Sequence, residues 1–96
     1  MATFISLLTF TDQGIRNVKD SPERLRAFEA MADKLGVKVK HAFYTVGEYD
    51  MVVISEGADD AATAALLKAC ALGNVRSRTL RAFSVDEMKK IIGKMA

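Results

Sequence analysis

The chain has 96 residues, a mass of 10.5 kDa and a formal net charge of +2 from 14 basic and 12 acidic side chains. That length makes one domain, residues 1–96, able to bury a core without covalent staples. Half the residues are hydrophobic and 27% charged, a globular composition; one cysteine excludes an internal disulfide framework and a multi-thiolate zinc site, and the balanced charge marks no nucleic-acid binder.

Residues 3–10 (TFISLLTF) mix aromatic, β-branched and aliphatic types and end at Thr11-Asp12, which predicts a first strand. Phe4, Ser6, Leu8 and Phe10 alternate with Ile5 and Leu7, so both faces are apolar and the strand should be central. Thr11 can cap a short helical turn over 12–18, weakened by Gly14. Ser21 then reads as an N-cap with Pro22 at the first helical position. Leu25, Phe28, Met31, Ala32 and Leu35 form one apolar stripe, and Gly36 is a stop, predicting a helix over 22–35.

Residues 37–46 (VKVKHAFYTV) predict an edge strand, with Val37, Val39, His41 and Phe43 on one side and Lys38 and Lys40 on the other. Gly47–Asp50 is a tight connection. Residues 50–56 (DMVVISE) predict a second central strand. Asp59 or Asp60 caps an Ala-rich helix over 60–72, stopped by Gly73-Asn74. Residues 75–83 (VRSRTLRAF) predict the last strand. Ser84-Val85-Asp86-Glu87 has capping-box spacing and opens a short amphipathic helix bearing Met88, Ile91, Ile92 and Met95.

This order is that of an α+β, ferredoxin-like βαββαβ domain: a four-stranded antiparallel sheet in the order 4-1-3-2, with a C-terminal helix added. Two helices cover one sheet face. The other apolar face needs a second cover, and a second copy of the chain supplies one, so a homodimer or a higher even oligomer is expected. No apolar run approaches the roughly 18 residues of a bilayer span. The N-terminal stretch lacks the basic segment and cleavage site of a secretory signal. A cytoplasmic location without membrane or nucleic-acid contact is therefore expected.

At Gly47-Glu48-Tyr49-Asp50 the chain resembles the GYD domain family, small and mostly bacterial proteins named for this Gly, Tyr and Asp. The resemblance extends through the opening strand, Thr11–Ile15, Leu35–Val39 and Gly73–Arg76. It implies a ferredoxin-like fold of the dimeric α/β-barrel type and no particular activity. More distantly, Thr45–Ala82 resembles the ligand-binding domain of the Lrp/AsnC regulators, in which amino acids bind near an oligomer interface. No helix-turn-helix precedes the first strand here, so that resemblance implies a stand-alone sensing module.

Gly47, Tyr49 and Asp50 are the first candidate ligand contacts: a permissive turn residue, a ring with a hydroxyl, and a carboxylate able to accept backbone N–H bonds across the turn. Against this stands a purely structural hairpin. His41, the only histidine, has no orienting partner nearby in sequence and cannot alone make a metal site. Arg76 and Arg78 share a face of the last strand; they protect an edge or bind an anion bidentately. Cys70 reads as a buried small hydrophobe. No phosphate loop, serine elbow or metal-ligand cluster stands out, so no catalytic residue, metal or cofactor is assigned.

The expected function is a homo-oligomeric binding or sensing module for a small metabolite, anionic or amino-acid-like. Two other readings stand beside it. One is a cofactor-free, monooxygenase- or isomerase-like enzyme using His41, Tyr44 or Tyr49 for proton transfer, which rests on fold analogy. The other is an oligomeric scaffold.

Overall fold

A computed structural model describes residues 1–95. Its elements are β1 (Ala2–Phe10), α1 (Asp12–Arg16), α2 (Ser21–Lys34), β2 (Lys38–Tyr44), β3 (Met51–Gly57), α3 (Asp59–Ala71), β4 (Val75–Ala82) and α4 (Val85–Gly93), with a 3-10 turn at Val18–Asp20 before α2. The four strands form one antiparallel sheet in the order β2-β3-β1-β4. The two strands apolar on both faces are indeed central, and the lysine- and arginine-bearing strands are the edges.

Register assigns every strand residue to a face, because directly paired residues point the same way. Phe4, Ser6 and Leu8 pair with Ser55, Val53 and Met51 on one side and with Arg81, Thr79 and Ser77 on the other. This is the face that α2 and α3 cover. Ile5 and Leu7 pair with Ile54 and Val52, and with Leu80 and Arg78, on the opposite face. Among the described residues no helix makes an extensive packing contact with that opposite face.

Three local expectations are corrected. A β-bulge between Val39 and His41 shifts the register of β2. Val39 therefore points to the helices, opposite Ser55, while His41 and Phe43 point to the open face, opposite Ile54 and Val52. The alternation Val-Lys-Val-Lys had placed all of them on one side. Ser21 is not an N-cap: its backbone is already helical, and its hydroxyl shares a 2.8 Å hydrogen bond with the Tyr44 hydroxyl. Nor does Asp59 or Asp60 cap α3. Ala58 holds the cap position with no side-chain bond, and both aspartates lie in the first turn, where they oppose the positive helix end.

Other local readings hold. Thr11 caps α1 by accepting the Gly14 N–H, α2 ends at Gly36 and α3 at Gly73, both at positive φ, and Ser84 and Glu87 form a reciprocal capping box. Cys70, expected to be buried, is instead half-buried, and it is free.

The core has two separate clusters. Leu8, Met51 and Val53 pack with Phe10, Leu25, Val39, Ala42 and Val75. Ala32, Val37 and Ala65 pack with Phe28, Met31, Ala61 and Ala62. A domain of this size ordinarily has one contiguous core. Small residues explain the division: Ser6, Ser55 and Thr79 occupy the helix-facing side of three strands, and α3 is Ala-rich. Short side chains on both walls leave space between them.

Candidate functional site

That space is a cavity of about 530 Å³ between the sheet and the helices α2 and α3. It lies within the range of sites that hold small organic ligands. Its floor is Phe4, Leu8, Met51 and Val53, and its helical wall includes Leu25, Phe28, Met31 and Leu66. The helices meet through Ala32 and Ala65 at one end. At the other end Arg24 of α2 and Lys68 of α3 line the cavity together with Leu72, which is 66% exposed, so a mouth opens there; exposed Thr63 and Arg81 line it elsewhere.

Polar groups in the wall are few. Ser6 and Thr79 hydroxyls lie 3.1 Å apart, and Thr79 continues to Ser77 at 2.8 Å. Arg24 Nη1 donates to the Asn17 carbonyl at 2.9 Å, whereas its Nη2 is buried with no hydrogen-bond partner among the described residues. Arg81 stacks over the Phe83 ring at 4.4 Å and approaches Asp59 at 4.0 Å. Among the described residues no histidine, cysteine, tyrosine or carboxylate lines the cavity. The wall can hold and orient a molecule, and Lys68 is its one side chain of a type that commonly transfers protons.

The residues singled out from sequence fall elsewhere. Residues 45–50 link β2 to β3, and Gly47 adopts φ 132°, which an L side chain rarely reaches. Tyr49 is half-buried, and its carbonyl accepts the Thr45 hydroxyl. Asp50 joins this link to β1: its Oδ2 accepts the Phe10 N–H at 2.8 Å and its own N–H donates to the Leu8 carbonyl at 2.8 Å. His41 is stacked on Phe43, with ring centroids 6.2 Å apart, on the open face of β2. Arg76 and Arg78 share that open face, paired with Thr9 and Leu7, but on the opposite edge strand. The sheet thus separates His41 from the two arginines by its full width. Among the described residues no group of three His, Cys, Asp or Glu side chains is placed to hold a metal ion. Among the same residues no helix is long and apolar enough to cross a membrane.

Sequence alone does not mark the cavity, because Leu25, Phe28 and Met31 read as ordinary core. The readable sign was the polar interruption of the inward face at Ser6.

The βαββαβ order, the antiparallel sheet and the helices on one face define a ferredoxin-like α+β domain. The chain belongs to the GYD domain family, whose model matches residues 4–92. It is 36% identical over 91 residues to a Thermus thermophilus protein named glutamine synthetase and cystathionine beta-lyase binding protein, covering 92% of this chain and 95% of that one. Among solved structures it is similar to a feast or famine regulatory protein from M. tuberculosis complexed with L-methionine, with a TM-score of 0.66 at 20% identity. That match covers 88% of this chain, which spans about half (52%) of the regulator. It is also similar to TTHA0845, again from Thermus thermophilus, with a TM-score of 0.51 at 24% identity over 88% of this chain and 96% of that one. At these identities the structural likenesses establish the fold alone.

Proposed function

We propose that this chain is a homodimeric binding module that holds a small metabolite between its sheet and helices and performs no chemistry of its own. The observation that carries this reading is the cavity: roomy, mostly apolar, fitted with cations at its mouth, and lined among the described residues by no histidine, cysteine, tyrosine or carboxylate. An enzyme using His41, Tyr44 or Tyr49 would have to work outside it.

The dimer rests on surface. The chain exposes 6673 Å², against about 5,400 Å² expected of a folded monomer of its mass. The excess of roughly 1,200 Å² exceeds the ~800 Å² that each partner contributes to a standard interface. Ile5, Leu7, Val52 and Ile54 form a continuous apolar patch in the middle of the open face, flanked by exposed Phe43 and Leu80. A second copy laid sheet to sheet covers it and leaves the cavity, on the far side, accessible. In that dimer His41, Arg76 and Arg78 stand at the rim and Tyr49 near the end of the interface. Arg76 and Arg78, neighbours on β4, are a second place where a small anion can be held, with His41 on the opposite edge. The name of the Thermus thermophilus relative supports extending the role to protein recognition, with the metabolite-loaded dimer as the form that meets a partner.

Thermal denaturation against a panel of organic acids and amino acids tests the reading. A ligand at a hundred times its dissociation constant stabilises by about 2.7 kcal/mol. For a domain of this size that raises Tm by roughly 10–20 °C. A flat panel with folded protein contradicts the proposal.

A further inference from the structure

We propose that the cavity takes an amphipathic monocarboxylate, an aliphatic or aryl-alkyl acid, with its carboxylate at Arg24 and its apolar chain running inward over Leu25, Phe28, Met31 and Met51. The inference rests on the binding-module reading and specifies its ligand class.

Charge gives the sign of the head group. Arg24, Lys68 and Arg81 line the cavity, and among the described residues no carboxylate does. Arg81 already has Asp59 and the Phe83 ring. Arg24 is half-used: Nη1 is anchored on the Asn17 carbonyl, while Nη2 is buried and unpaired among the described residues. A buried guanidinium donor without an acceptor is costly, and a carboxylate is its best-matched partner. Nη2 is covered by neighbouring atoms, so pairing takes a turn of the guanidinium toward the cavity about its side-chain torsions. Lys68 stands on the facing helix at the same end and adds to the positive potential there.

The wall gives the rest of the molecule. Inward from Arg24 the lining is mostly aliphatic and aromatic, interrupted on the sheet side by Ser6, Ser55 and Thr79, with Arg81 beside Phe4 at the far end. The cavity floor from Leu8 to Phe4 spans four residues of β1, about 13 Å, room for a medium-length chain. A zwitterionic amino acid fits poorly, because its ammonium group would enter a site that already carries cations and offers no carboxylate. A phosphate monoester fits poorly too, because a dianion loses more hydration in an apolar cavity than one free guanidinium edge restores.

Calorimetric titration of the purified full chain with octanoate, octan-1-ol and 2-aminooctanoate separates these terms, since the three share one tail. Octanoate should bind about tenfold or more tightly than either of the others. In Arg24→Gln, octanoate affinity should fall to that of octan-1-ol, whose own affinity stays unchanged; a far-UV spectrum checks that the variant is folded. Equal binding of octanoate and octan-1-ol to the unmodified chain overturns the carboxylate assignment without any variant. An Arg24→Gln chain that keeps the preference overturns the role of Arg24. Absence of binding by all three overturns the ligand class, while a different metabolite found on the purified protein would still uphold the broader binding role.

Discussion

Gly14 lies at the closest backbone approach among the glycines, and replacing it with alanine gives a calculable loss. A Cβ built there would overlap the Asn74 carbonyl oxygen and stand 2.8 Å from its carbon. Both are backbone atoms, so no side-chain rotation relieves the overlap, and α1 must move away from the 72–74 turn. That turn is held by Thr11 N–H to Asn74 O at 3.0 Å, Thr11 Oγ1 to Gly73 O at 2.6 Å, and Gln13 Nε2 to Leu72 O at 3.1 Å. Losing two or three such bonds at about 1 kcal/mol each costs roughly 2–3 kcal/mol. Alanine returns up to ~1 kcal/mol in helix propensity. The net loss of about 1–3 kcal/mol lowers Tm by roughly 5–20 °C for a domain of this length. Circular dichroism melting at fixed protein concentration reads it. Gly93→Ala is the control: its Cβ would meet nothing within 4 Å, and stability should hold or rise by up to ~1 kcal/mol. A Gly14→Ala chain within ~0.5 kcal/mol of the parent would refute the close-packing argument.

Asp50→Ala removes the carboxylate that accepts the Phe10 N–H, a charge-assisted bond, and should cost about 1.5–3 kcal/mol in urea denaturation; no change would mean that Asp50 is free for a ligand. Ile54→Lys places a charge at the centre of the open face and should weaken self-association by about a hundredfold or more in sedimentation equilibrium. Unaltered association would move the interface elsewhere. The Ser84 N–H and hydroxyl bonded to Glu87 hold its carboxyl below the ordinary carboxylate range. A lowered folded value means that the contribution is present above the unfolded pKa and disappears as pH falls through the folded one. The helicity of α4 should therefore drop in acid, and Glu87→Gln should abolish that step in amide NMR shifts.

Strand order could be read from which strands were apolar on both faces, and the helix limits from Thr11, Gly36, Gly73 and the Ser84–Glu87 box. The bulge at Lys40 could not, since Val37–Lys40 alternates as a regular strand would and only pairing with β3 reveals the slip. Gly14 looked like a weak point of a helix because propensity is local, whereas the need for glycine comes from Asn74, distant in sequence. At the turn, the capacity of Asp50 to accept backbone N–H groups was legible, but its partner on β1 was not. The cavity was the least legible feature. Periodicity tells which side chains face inward, not how far apart short ones leave the layers.

Native mass spectrometry of gently purified protein tests the central claim most directly. The account predicts an even-numbered oligomer of the 10.5 kDa chain carrying one extra small mass per protomer. A bare monomer would contradict both the covered sheet face and the occupied cavity.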